Sequence, residues 1–98
     1  MYVVDGIAYA GEPIEGLRVR AVNVVTDLSL LVTFSTGERR VLDLAPLAEG
    51  TPAFAPLREW DVFSRPTVDH GVICWLDGQI DLAPEAAYRM GYRYDTVA

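Results

Sequence analysis

The stretch Leu17-Arg18-Val19-Arg20-Ala21-Val22-Asn23-Val24-Val25-Thr26-Asp27-Leu28-Ser29-Leu30-Leu31-Val32-Thr33-Phe34 sets the fold class. Leu17, Val19 and Ala21 alternate with Arg18 and Arg20, and the run stays largely apolar through Val25. Beyond Asp27, Leu28, Leu30, Val32 and Phe34 alternate with Ser29, Leu31 and Thr33. A period of two is that of half-buried strands, whose successive side chains point to opposite faces. A connection as tight as the one at Asp27 joins antiparallel neighbours, because a parallel pair needs a crossover of a dozen residues or more. Ser35-Thr36-Gly37-Glu38 supplies the next turn, and residues 39–42 return as a third strand. An antiparallel meander is the expected centre.

Outward toward the C-terminus, Asp43-Leu44-Ala45-Pro46-Leu47-Ala48-Glu49-Gly50 reads as one or two helical turns, with Asp43 at the cap, Pro46 in the first turn and Gly50 as terminator. Pro52 and Pro56 limit the next segment to a turn or two. Short extended pieces are expected at residues 60–64 and at Thr67–Asp69, and the apolar run Val72-Ile73-Cys74-Trp75-Leu76 as a central strand. Asp77-Gly78 turns the chain into a short strand over residues 79–82, and Pro84–Met90 reads as a helix closed by Gly91. Toward the N-terminus, Asp5-Gly6 between apolar pairs is a hairpin signal. The tetrapeptide Asp43-Leu44-Ala45-Pro46 recurs as Asp81-Leu82-Ala83-Pro84, read here as shared helix-start chemistry. The expected architecture is α+β: a mainly antiparallel sheet of five to six short strands, a C-terminal helix and short helical turns.

The 98 residues suit one domain, with about two-thirds of the unfolded chain's surface buried on folding. Residues 1–98 divide into an extra N-terminal hairpin-like segment (1–16), a core (17–90) and a tail (91–98). Eight cations face 14 anions, for a net charge of −6. All eight cations are arginine, so Schiff-base chemistry and a P-loop lysine are excluded. The acidic balance repels phosphate backbones and disfavours DNA or RNA as partner. A single cysteine, Cys74, cannot form an internal disulfide; with no signal-peptide pattern and no apolar run of membrane-spanning length, a cytoplasmic location off the membrane is expected.

The strand ending at Phe34, the Thr36-Gly37-Glu38-Arg39 turn and the return strand ending at Asp43 resemble the opening of the prokaryotic family known as domain of unknown function 2442. Phe63, Val68-Asp69, Ile73-Cys74-Trp75, Gly78, Asp81-Leu82-Ala83-Pro84-Glu85 and Tyr88, in that order, are similar to its later signature, so the resemblance spans about residues 17–90. It implies a compact α+β domain of NE-type N-terminal-domain-like fold, joined in longer relatives to a helix-turn-helix module and often encoded beside another small protein in a toxin and antitoxin-like arrangement. The 16 residues ahead of the core depart from that pattern, and Ala98 comes too early for a helix-turn-helix. The family has no established catalytic residues to carry over.

Candidate chemistry is sparse. His70 stands beside Asp69 with Cys74 four residues on, but neighbours on a strand point to opposite faces, and an apolar run raises a thiol pKa. Asp69, Asp77 and Asp81 flank one hairpin without EF-hand spacing, and the only His and the only Cys fall short of a zinc set. No catalytic residue, metal or cofactor is assigned, and no enzyme activity is expected. The binding candidates are Arg18, Arg20, Arg39 and Arg40, placed on one face of adjacent strands, and Tyr88, Arg89, Tyr92 and Arg93, where aromatics interleave with arginines as in interaction hot spots. Trp60, flanked by Glu59 and Asp61, is the tryptophan expected at the surface. The expected function is a non-enzymatic protein-protein interaction or regulatory module whose acidic surface suits a small protein partner, with a homodimer through an exposed edge strand as a further expectation. The alternatives are a nucleic-acid-associated regulator using the Arg/Tyr surface, and a small-ligand binder or enzyme around His70.

Overall fold

The computed structural model describes residues 16–93 and, ahead of them, the strands β1 (Val3–Val4) and β2 (Ile7–Ala8). β1 and β2 pair antiparallel with Val4 opposite Ile7, as the Asp5-Gly6 signal predicts. The turn residues themselves, and the remainder of the N-terminal segment and of the tail, lie outside the described residues.

The meander forms as β3 (Val19–Thr26), β4 (Ser29–Phe34) and β5 (Arg39–Asp43), antiparallel in sequence order. On β4, Leu30, Val32 and Phe34 are completely buried while Ser29, Leu31 and Thr33 are half-buried, the alternation read from the sequence. β3 departs from it. Val19 faces Phe34 but Ala21 faces Thr33, so Arg20 is an extra residue in a bulge; a second register shift makes Val25 extra between Val24 and Thr26. A bulge reverses the phase of everything after it. Ala21 therefore points outward, Val22 and Val24 pack on the core, and Val25 is left 55% exposed.

The remaining strands build a second antiparallel sheet, β6 (Thr67–Asp69), β7 (Val72–Trp75) and β8 (Ile80–Leu82), with β7 central. The fold is thus α+β as expected, with the strands divided between two main sheets. Between the sheets run α1 (Ala45–Gly50), a 3₁₀ segment (Pro52–Arg58) and α2 (Trp60–Phe63). After β8, α3 (Pro84–Met90) leads into β9 (Tyr92–Arg93), which pairs with β5 as the fourth strand of the first sheet. At the seam, the Val19 N–H donates to the Gly71 carbonyl at 2.9 Å and Arg18 Nη1 donates to the His70 carbonyl at 3.2 Å.

Residues 60–64, expected as extended, instead contain the helical turn α2, closed by Phe63 N–H to Glu59 O (2.9 Å) and Ser64 N–H to Trp60 O (2.9 Å). In a strand Asp61 and Phe63 would share a face, so burying the ring would bury a carboxylate. The turn separates them, leaving Asp61 exposed and Phe63 fully buried. Phe63 stacks on Trp75 with centroids 6.3 Å apart, and its carbonyl accepts the Trp75 indole N–H at 3.1 Å. The largest core side chain thereby has its one polar atom satisfied, as burial requires. Trp60, by contrast, is 52% exposed, consistent with its acidic neighbours. Leu30, Leu42, Leu44, Leu57 and Ile73 complete the sealed core, each contributing about 1.5–3 kcal/mol through burial.

Gly91 closes α3 for a reason other than left-handed backbone: its φ is −87°. A Cβ there would sit 2.8 Å from Leu42 Cδ1 and 2.9 Å from Arg40 Cβ, so glycine lets the helix end press onto β5. Gly91→Ala is expected to destabilise the fold by about 1–3 kcal/mol through overpacking. Gly50→Ala, where a Cβ meets nothing within 4 Å, is expected to be neutral or to stabilise by about 0.4–1 kcal/mol. Urea denaturation of the two variants checks both signs.

Candidate functional site

The strand arginines do not all share a face. Arg18 lies at the seam between the sheets, and Arg20 occupies the first bulge of β3. Arg39 is exposed opposite Thr33, on the outward face. Arg40 is opposite Val32 and shares the buried face with Leu30 and Leu42, its side chain only 17% exposed. Consecutive strand residues alternate faces, which separates Arg39 from Arg40.

Arg40 is drawn inward by a full set of partners. Its Nε and Nη2 reach Glu38 Oε2 at 3.0 and 2.8 Å, and its Nη1 donates to the carbonyls of Tyr88 and Gly91, each at 3.1 Å. The guanidinium lies 3.8 Å from the Tyr88 ring centroid. The Tyr88 hydroxyl donates to Glu38 Oε1 at 2.8 Å, and its ring meets Phe34 edge-on at 5.2 Å. These carbonyls belong to the C-terminal end of α3, where a cation is favoured by the helix dipole and satisfies orphan acceptors. Expected from the sequence as contact residues, Arg40 and Tyr88 instead form an internal latch between α3 and the meander. The rest of the aromatic and arginine run separates: Arg89 lies in the last turn of α3, Tyr92 is 64% exposed on β9, and Arg93 pairs in register with Arg40.

Asp69 and His70, expected to point apart, meet at 2.8 Å between Oδ1 and Nδ1. His70 has a φ of +53°, which takes it out of strand geometry and turns its ring back toward its neighbour. Both side chains are largely exposed, whereas Cys74 is buried and its thiol donates to the Val72 carbonyl at 3.6 Å. Burial first, then the Asp69 and Asp81 carboxylates, push the thiol above its ordinary value near 9.0. This arrangement opposes formation of a thiolate nucleophile. Among the described residues, no group of three or more His, Cys, Asp or Glu side chains converges on a metal position.

The feature that does bring polar groups together is an open groove of about 790 Å³ where α1 and the 3₁₀ segment face β8 and α3. Its lining is largely apolar, with Leu47 and Phe54 on one side and Leu82, Ala86 and Met90 on the other. Asp43, Asp81 and Arg89 are the charged residues of the lining. Asp43 and Pro46 belong to one copy of the repeated tetrapeptide, and Asp81, Leu82 and Ala83 to the other. Each copy leaves a strand and enters a helix with proline in its first positions. The expected cap role of Asp43 shifts by one residue: Leu44 is at the N-cap, and Asp43 Oδ1 accepts the Ala45 N–H at 3.0 Å. Among the described residues singled out as binders, Arg89 lines this groove. The repeat was its visible trace, but helix-start chemistry explained the repeat without requiring that its copies face each other.

The family described as Protein of unknown function (DUF2442) matches residues 19–91, which include both tetrapeptides, the latch and the groove. The chain belongs to this family. No curated protein and no solved structure matches it. The DUF2442 match covers the whole meander, the second sheet and α3, so the geometry described above is built from the family region. No helix among the described residues is long and apolar enough to cross a membrane.

Arg40→Ala is expected to cost about 2–4 kcal/mol, since it strips partners from Glu38 and two helix-end carbonyls. Tyr88→Phe is expected to cost about 1 kcal/mol, and Arg20→Ala, exposed in its bulge, less than about 0.5 kcal/mol. Chemical denaturation ranks the three. For Cys74, thiol titration with a disulfide reagent at neutral pH should proceed far more slowly in the folded protein than in denaturant. Equal rates in the two states would contradict the buried, protonated thiol.

Proposed function

We propose that the protein is a non-enzymatic interaction module of the cytoplasm that holds a small protein partner in the groove between α1 and α3. The carrying observation is the groove itself: a mostly apolar concavity whose lining includes two aspartates and an arginine. Concave apolar lining with a few placed polar groups is the composition of binding sites. The toxin and antitoxin-like gene arrangement implied by the family resemblance supports a partner that is small and co-produced, with a regulatory or neutralising outcome. The nucleic-acid reading has less support because Arg40, one of its arginines, is engaged internally by Glu38, Tyr88 and Gly91.

The test is capture of partners from the native cytoplasm by the tagged chain and by its Ala86→Glu variant, with stoichiometry read by mass spectrometry and folding verified by thermal melting. One small protein at a fixed ratio, reduced about tenfold or more by a charge placed in the apolar lining, is the expected outcome. Recovery of the chain alone or only with itself would remove the proposal.

A further inference from the structure

Resting on the groove being the interaction site, we propose that its occupant is a basic and apolar segment of the partner: an aliphatic or aromatic side chain flanked by lysine or arginine. The two acidic residues of the lining come from separate elements, Asp43 at the end of β5 and Asp81 within β8, and both are exposed. Asp43 is oriented before any partner arrives, because one carboxylate oxygen accepts the Ala45 N–H at 3.0 Å. Between these two acids the lining is apolar, with Leu47, Phe54, Ala86 and Met90 able to receive a hydrophobic anchor. A cation brought to each aspartate gains a charge-assisted contact, while the anchor supplies the desolvation that makes such contacts count.

The wider charge distribution points the same way. With a net charge of −6 and no lysine, the chain attracts cationic partners and repels acidic ones during approach. A groove of about 790 Å³ has room for several side chains of one segment. The occupant is therefore a short stretch of chain, in which basic residues lie within a few positions of the anchor.

The experiment pans a random peptide library displayed on phage against three proteins: the natural chain, the Asp43→Asn/Asp81→Asn double variant and Ala86→Glu. Asparagine at position 43 retains an acceptor for the Ala45 N–H, so the double variant removes charge without removing that turn contact. The natural chain is expected to enrich peptides with Lys or Arg near Leu, Phe or Trp. The double variant is expected to keep the apolar preference and lose the basic one, and to bind the best natural-chain peptide about tenfold or more weakly. Enrichment of acidic peptides, of apolar peptides without basic residues, or of none would overturn the proposal, as would equal affinity for the double variant. Partner capture separates the two levels. If Ala86→Glu abolishes capture and the double variant does not, the groove remains the interaction site and the basic occupant is wrong; if Ala86→Glu leaves capture intact, both fall.

Discussion

The guanidinium of Arg40 is the contact that fixes the end of α3 against the meander. It starts from the buried face of β5, reaches the carbonyls of Tyr88 and Gly91 at the end of α3, and is neutralised by Glu38. A partly buried arginine is tolerable only because nearly every donor has an acceptor, two of them carbonyls that the helix end leaves open. Tyr88 closes the arrangement by stacking on the guanidinium and donating to the same glutamate. Gly91 permits it by omitting the Cβ that would collide with Arg40 and Leu42.

The groove depends on this latch. One wall comes from α1 and the 3₁₀ segment, which follow the first sheet, and the other from β8 of the second sheet and from α3, which follows it. Fixing the end of α3 against β5 places Arg89 and Met90 opposite Leu47 and Phe54. The seam contacts at Gly71 and His70 hold the sheets together elsewhere, where Arg18 packs so closely that Gly71 has no room for a Cβ. A Cβ there would lie 2.7 Å from that of Arg18, on a residue whose φ is already +82°. Two close approaches by glycine thus help set the relation between the sheets.

Family membership and geometry bear on different questions. DUF2442 covers the latch, the groove and the tetrapeptides without assigning an activity. The reading as an interaction module comes from the groove's lining, in which apolar area is bordered by two aspartates and an arginine.

Much of the architecture is legible in the sequence because local physics governs it. The alternation of Leu30, Val32 and Phe34 specifies a half-buried strand, Pro84 and Gly91 bound the last helix, and Trp60 between two acids stays at the surface. What the sequence leaves open is whatever depends on register or on distant partners. The bulges at Arg20 and Val25 invert the faces of β3, and an alternation pattern cannot contain the extra residue that inverts it. The turn at Trp60–Phe63 forms because Phe63 has a burial site against Trp75, twelve residues on. Arg39 and Arg40 look equivalent in the chain; tertiary structure alone sends one outward and gives the other a helix end to hold. Likewise the repeated Asp-Leu-Ala-Pro determines by itself only how two helices begin. That its two copies border one groove follows from the packing of two sheets, a relation between residues about forty apart for which no local pattern carries information.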